Sequence, residues 1–370
     1  MSSRRILHCI PGMGGGGAER QLAYLAGELV RLGWDVHVAL VSGGPNLQRL
    51  ERSGATIHRL ESRSNYDPGI LWGLTRIIER LKPDVVQVWL LQMEIAGAIA
   101  ARVRGVPWIL SERCSEDAYP ATFKHRLRQW MATSASAVVS NSTGGRQYWE
   151  VRLDSRTGHY VIPNALPLEE IRGTAPVAAA ETGLAAADAL VLFAGRLTEQ
   201  KDPATVIKAL ATVLERPAAT AVVAGEGPLR DSVQALANQQ GIGGRIRFTG
   251  YVENLWAWMK RASVFVSPSL FEGHPNTVLE AAGCGCPLVV SDIAAHREFL
   301  DESSALFVPP GDPPSVARAI LDVFDQPAAA QQRAAAATRT VAQWSAARIA
   351  QQYERVYLDV LARAERRNAG

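Results

Sequence analysis

Lysine is scarce in this 370-residue chain: only Lys82, Lys124, Lys201, Lys208 and Lys260 occur among 39 basic residues. A lysine beside a phosphate-binding pattern is therefore unusually informative. Cysteine is scarcer still. Cys9, Cys114, Cys284 and Cys286 are too few and too scattered to staple the chain, and no Cys-x-x-Cys or His/Cys cluster has zinc spacing. They read as free thiols, with no bound metal expected. An excess of one charge is also missing. The 39 basic and 36 acidic side chains leave a net +3, too balanced for a protein that wraps nucleic acid, so any phosphate binding must be local. Long apolar runs are absent too. The best candidate, residues 85–101, contains Gln87, Gln92 and Glu94, which excludes a membrane span there. Residues 1–20 offer only a short apolar stretch before a glycine run, unlike a signal peptide. The expectation is a cytoplasmic protein, at most peripheral on the cytoplasmic face of a membrane.

Hydrophobic residues make up 47% and charged residues 20% of the chain, as in folded proteins, and the length implies two domains. Short apolar runs at 5–10, 35–41, 56–60, 84–89, 107–111, 137–140 and 160–162 alternate with helical patterns such as 18–32 and 69–81. Strand, helix, strand at this spacing means parallel strands joined by crossover helices. A second series follows an alanine-rich stretch, with strands expected at 189–194, 220–224, 245–248, 264–266 and 287–291. Its helices open near Pro203, Pro228 and Pro275, where a proline costs no hydrogen bond. The fold class is α/β, with two doubly wound units at 1–166 and 167–344. Open parallel sheets bind ligands outside the carboxyl ends of their strands, so two such sheets are expected to face each other across a cleft. Residues 345–370 read as a helix that either packs back on the first unit or caps the second.

Three segments could carry chemistry. The run Gly12-Met-Gly-Gly-Gly-Gly-Ala-Glu-Arg20 follows the first strand and opens a helix, where backbone amides can approach an anion. It is neither a Walker loop nor a clean dinucleotide fingerprint, because Leu40, Val41 and Ser42 stand where an acidic residue would end the second strand. A plain flexible loop is the alternative. The second segment, residues 267–287, places Glu272 in a loop after a strand and Glu280 in the following helix, with Gly273, His274, Pro275, Asn276 and Thr277 between. The amides of Asn276, Thr277 and Val278 are expected free at that helix start, as a diphosphate requires, and the two carboxylates could each hold sugar hydroxyls. A turn glutamate and an exposed helix glutamate would look the same. The third segment, Phe193-Ala-Gly-Arg196-Leu-Thr-Glu-Gln-Lys201-Asp-Pro, puts two cations at the end of a strand. They could neutralise a departing diphosphate or be solvated surface.

Taken together, Gly-Gly-Ala-Glu-Arg20, Gly-Arg196-Leu with Lys201, Ala-Gly-Glu226-Gly-Pro-Leu-Arg230, Phe-Thr-Gly250 and Phe-Glu272-Gly-His-Pro-Asn-Thr-Val-Leu-Glu280 resemble the family 4 glycosyltransferases over nearly the whole chain. The resemblance implies the GT-B architecture of two Rossmann-like domains. It implies a retaining, metal-independent transfer from a nucleotide sugar, with UDP-linked donors the expectation. Front-face attack, with the leaving phosphate taking the acceptor's proton, is the family's usual account. By the same resemblance Glu272 contacts the donor sugar, helped by Gly273, His274, Asn276 and Thr277, and Glu280 holds the ribose. Arg196 and Lys201 hold the diphosphate, Gly15 and Gly16 close on it from the first domain, and Glu226 and Val252 line the nucleotide side.

One departure concerns the first domain. Many members place a histidine after a strand there as a polar contact to the donor sugar, whereas this chain has Ser111-Glu112-Arg113. Glu112 or Arg113 is the candidate substitute, with Glu112 taken as catalytic alongside Glu272; its plain alternative is pairing with Arg113 or with a helix. The segment Phe123-Lys-His-Arg-Leu-Arg-Gln-Trp-Met131 carries three fixed positive charges beside an apolar face. It would suit an anionic membrane or a lipid diphosphate, or would simply be a packed helix. Cys284-Gly-Cys286 reads as a packed turn. The expected activity is transfer of a hexose or N-acetylhexosamine to a glycan or polyprenyl-linked acceptor. A nucleotide-sugar epimerase of the same architecture, and less so a nicotinamide-dependent oxidoreductase, are the alternatives.

Overall fold

The computed structural model describes residues 3–64, 67–113, 122–153, 157–178 and 189–369. Two compact units divide the chain: residues 1–165 with 344–370, and residues 166–343. Cys114 and most of the alanine-rich stretch lie outside the described residues.

In the first unit the described strands are β1 (Arg5–Cys9), β2 (Asp35–Leu40), β3 (Thr56–Arg59), β4 (Val85–Trp89), β5 (Trp108–Glu112), β6 (Ala137–Ser140) and β7 (Gly158–Val161). They form one parallel sheet in the order β3-β2-β1-β4-β5-β6-β7. Helices cover both faces, which is why β4 is buried along its whole length, apolar at every position but Gln87, rather than alternating. Helix Gly17–Arg31 buries Leu22, Leu25, Ala26 and Leu29, a helical stripe facing the sheet. Helix Pro68–Leu81 starts where Asp67 accepts the Gly69 amide at 2.8 Å, and it ends at left-handed Lys82, φ 48°. The strand order reverses direction between β1 and β4, the switch point where such sheets open for a ligand.

Helix Ala346–Ala369 belongs to this first unit. Its Ile349, Tyr353, Tyr357 and Val360 share a core with Leu22, Leu29 and Trp34. Trp34 Nε1 donates to Glu354 at 3.0 Å, and the Tyr357 hydroxyl reaches Gln87 Oε1 at 2.5 Å. Burial of each such apolar side chain contributes about 2 kcal/mol relative to exposure.

The second unit contains β8 (Ala189–Ala194), β9 (Ala219–Ala224), β10 (Ile246–Gly250), β11 (Val264–Ser267), β12 (Leu288–Ser291) and β13 (Leu306–Val308), all parallel, in the order β10-β9-β8-β11-β12-β13. Helix Pro203–Val213 opens at Asp202, whose side chain accepts the Thr205 amide at 3.2 Å. Two helices start later than proline suggested. Pro275 is the N-cap of helix Asn276–Gly283, and Gly227 with Pro228 is consumed in a turn before helix Arg230–Gln239, where Leu229 N donates to Leu197 O at 3.0 Å. Cys284 is half-buried and Cys286 buried, against the Trp256 and Ala262 carbonyls; burial raises the Cys284 thiol to about 12 and Cys286 higher still, so neither is a ready ligand or nucleophile.

Two buried histidines set an acid limit on stability. Burial lowers His8 to about 3 and His296 to about 4. Each stays neutral when folded but takes a proton when unfolded near pH 6.5, so its contribution is full above that pH and is lost as pH falls toward the folded value. The expected result is an unfolding free energy that falls by roughly 1.4 kcal/mol per pH unit per histidine between pH 6.5 and 4. His296→Asn should flatten that slope by one proton in a urea titration series. An unchanged slope would refute it.

Candidate active site

The loops at the carboxyl edge of the second sheet are tied into one surface. Gly195 N donates to Ala224 O (3.0 Å), Leu197 N to Glu226 O (2.9 Å) and Gly225 N to Gly250 O (2.7 Å), joining the turns after β8, β9 and β10. This approach demands glycine: a Cβ on Gly225 (φ +139°) would stand 1.9 Å from Gly195 O, and one on Gly227 2.3 Å from Leu197 O. The turn after β11 joins them through Leu270 N to Gln200 O at 2.8 Å and Gln200 Nε2 to Phe271 O at 3.0 Å.

Glu272 sits at the centre of this surface with 7% of its side chain exposed. Its Oε1 pairs directly with Lys201 Nζ and accepts from Ser269 Oγ at 2.8 Å, and Gln200 Nε2 lies 3.4 Å from Oε2. Charge-assisted bonds of this kind fix a carboxylate's direction when little water is left around it. Support continues behind it. Ser291 Oγ donates to Ser269 O at 2.5 Å, and His296 Nδ1 donates to Ser291 O at 2.7 Å. Since a carbonyl only accepts, the proton of this neutral ring is on Nδ1. Gln200, Ser269, Ser291 and His296 were not singled out from the sequence. Two of them stand inside or beside quoted motifs, but no spacing rule connects residues 269, 291 and 296.

Helix Asn276–Gly283 begins four residues after Glu272. Val278, expected to offer a free amide, instead donates to Pro275 O at 3.1 Å, because the chain turns back at the capping proline. Thr277 Oγ1 is buried without a partner at the same helix start. Glu280 is 2% exposed, so the exposed-helix alternative is excluded, and His274 lies against Phe299 with centroids 5.6 Å apart. Gly273 is buried, Arg196 is exposed and Val252 is half-buried in the turn after β10. Glu226 pairs with Arg230 on the surface. Lys201, expected to serve a phosphate, pairs with Glu272 through its ammonium, stays partly exposed and lies over Gly195.

Gly15, Gly16 and Glu112 belong to the first unit. Gly15 is exposed, and Gly16 precedes helix Gly17–Arg31 with the Glu19 carboxylate folded over it, 2.4 Å from where a Cβ would be. Glu112 requires a correction. It is fully buried at the end of β5, where Oε2 accepts from Arg128 Nη2 and from Trp149 Nε1, both at 2.8 Å. Arg128 also pairs with Glu94, itself 4% exposed. A carboxylate committed this way is a structural anchor rather than a catalytic group. Pairing with a helix, its plain alternative, is what the fold uses. Arg128 is correspondingly removed from the basic rim expected on helix Phe123–Ala132; Phe123 and Trp130 remain 78% and 61% exposed.

Two family models match the chain: "Glycosyl transferase 4-like domain" over residues 16–165 and "Glycosyl transferases group 1" over residues 188–326. An uncharacterized glycosyltransferase of Methanocaldococcus jannaschii is 37% identical over 131 residues, 35% of this chain and 34% of that protein. The lipopolysaccharide core biosynthesis glycosyltransferase LpsD of Rhizobium meliloti is 26% identical over 88% of this chain and 90% of its own. Among solved structures, Anabaena HepE in complex with UDP and glucose superposes with a TM-score of 0.85 at 19% identity, covering 96% of this chain and all (100%) of that one. The two doubly wound sheets, the ordered motifs and these matches together establish that the chain has the GT-B fold and belongs to the family 4 glycosyltransferases.

Proposed function

We propose that this glycosyltransferase transfers a hexose or N-acetylhexosamine, with retention, from a UDP-sugar to a glycan or polyprenyl-linked acceptor. The observation that carries the reading is Glu272: a nearly buried carboxylate oriented by Lys201 and Ser269, beside a helix start that leaves Thr277 Oγ1 buried and unpaired. In this reading Glu272 holds donor-sugar hydroxyls, with Gly273, His274 and Asn276 around it. Glu280 takes the ribose, and Arg196 with Lys201 and the helix start neutralise the diphosphate as it departs. Glu226 and Val252 border the nucleotide. UDP as the carrier is supported by the HepE complex, and a lipid-linked or envelope glycan by the name of LpsD.

No described helix is long and apolar enough to cross a membrane. Exposed Phe123 and Trp130, one face apart by seven residues and beside exposed Lys124 and Arg126, support a peripheral contact with an anionic membrane surface. The test is nucleotide release from a panel of UDP- and GDP-sugars, with and without lipid extract and anionic vesicles, with the anomeric configuration of the product read by NMR. UDP release that requires an acceptor and rises with vesicles is expected. Product formed without any acceptor would instead favour the epimerase, and failure of every nucleotide sugar to bind would overturn the proposal.

A further inference from the structure

The first unit holds a cation to which the donor reading above gives no part. Arg113 directly follows β5, at the carboxyl edge of the sheet where α/β proteins bind ligands. Its guanidinium stacks on Trp89, the last residue of β4, with Cζ 4.3 Å from the ring centroid. Nη1 donates to Asn164 Oδ1 at 3.2 Å, and Nη2 donates to the Tyr353 hydroxyl. All of these partners are neutral. Among the described residues no carboxylate lies within ion-pair distance of Arg113, and the adjacent Glu112 is committed to Arg128. Arg113 Nε is buried without a partner, as are Gln92 Nε2, three residues beyond β4, and Asn141 Oδ1, the first residue beyond β6. The Asn141 amide group itself lies 3.4 Å from Arg113 O, which ties these strand ends into one cluster.

A guanidinium removed in part from water and given only neutral hydrogen bonds lacks the compensation that buried cations normally have. The stack on Trp89 and the bonds to Asn164 and Tyr353 hold its plane in place, which lowers the ordering cost of a planar, two-pronged contact with an oxyanion. We propose that Arg113 is the recognition point for an anionic group, a phosphate, diphosphate or carboxylate, carried by the acceptor. The assignment to the acceptor rests on the donor reading above, in which Arg196, Lys201 and the start of helix Asn276–Gly283 already serve the nucleotide's phosphates. Tyr353 is a positioning residue: the C-terminal helix sets the direction of the guanidinium without touching the ligand.

Inorganic pyrophosphate is the probe, titrated calorimetrically into the full chain with and without saturating UDP. With UDP present, one further pyrophosphate site is expected. Arg113→Gln should weaken it at least tenfold, Arg113→Lys should retain part of the affinity, Tyr353→Phe should weaken it a few-fold, and the UDP Kd should stay within twofold throughout. Thermal unfolding of each variant separates lost binding from lost fold, and Arg113→Lys keeps the test valid should the glutamine variant unfold. No pyrophosphate uptake at saturating UDP, or uptake indifferent to Arg113→Gln and Arg113→Lys, would overturn the site. Equal weakening of UDP and pyrophosphate would move Arg113 to the donor and overturn the acceptor assignment. If UDP itself failed to bind, the donor reading would fall, while the titration without UDP would still decide whether Arg113 binds an anion.

Discussion

Glu272→Gln is expected to lower kcat/KM about a thousand-fold, a loss of ~4 kcal/mol in transition-state stabilisation, with the UDP Kd changed only a few-fold. The substitution keeps the side chain's shape and one acceptor for the Ser269 hydroxyl, 2.8 Å away, but removes the charge that pairs with Lys201. Two effects then add. The sugar loses a charged acceptor whose bonds strengthen as positive charge develops at the reacting carbon, and Lys201 loses the partner that fixes its ammonium position. Ground-state nucleotide binding has other supports, so the loss should fall on kcat rather than on KM for the donor. Product formation measured by mass spectrometry, beside calorimetric UDP binding, makes the distinction. Retention of more than a tenth of wild-type activity would remove Glu272 from the proposed chemistry.

Arg128→Met should lower the midpoint of thermal unfolding by about 10 °C. The substitution strands two buried carboxylates, Glu94 and Glu112, that are 4% and 0% exposed. Breaking a buried pair by deleting one partner costs ~3–5 kcal/mol, which in a unit of this size is ~2–4 °C per kcal/mol. Burial already raises the Glu94 carboxyl above its ordinary range even with Arg128 present. A raised folded value means that Glu94's contribution is intact at low pH and is lost as pH rises through that value. The defect of Arg128→Met should therefore shrink in acid, and adding Glu94→Gln should restore part of the lost stability at neutral pH. A midpoint within two degrees of wild type, read by circular dichroism at pH 7, would show that the triad is not the anchor the geometry describes.

The parallel strands were legible because both faces of each sheet are covered, so that stretches such as Val36–Leu40 and Val85–Trp89 are buried at every position and nearly all apolar. The edge strand Leu306–Val308 was not, since three residues, two of them half-buried, carry no usable period. Helices Pro313–Asp325 and Pro327–Val341 were likewise unmarked; the second is so rich in alanine that its apolar face hardly differs from the other. At the candidate site, the residue types and their order carried the family resemblance. What local pattern could not express was partnership. Lys201 and Glu272 lie 71 residues apart, and nothing periodic links them. Glu112 illustrates the same limit: its commitment to Arg128 depends on how helix Phe123–Ala132 lands on the sheet, so a buried anchor and an active-site acid look identical in sequence. Arg113, its neighbour, acquires meaning only because Trp89, Asn164 and Tyr353 converge on it.

The return of helix Ala346–Ala369 to the first unit has a consequence for how the protein is made. Residues 1–165 are translated before residues 166–343, yet the apolar positions that pack against Ile349, Tyr353, Tyr357 and Val360 stay uncovered until helix Ala346–Ala369 has followed them. The unit translated first is thus the one completed last, and it waits with part of its core exposed while the second unit, contiguous in sequence, can close on its own.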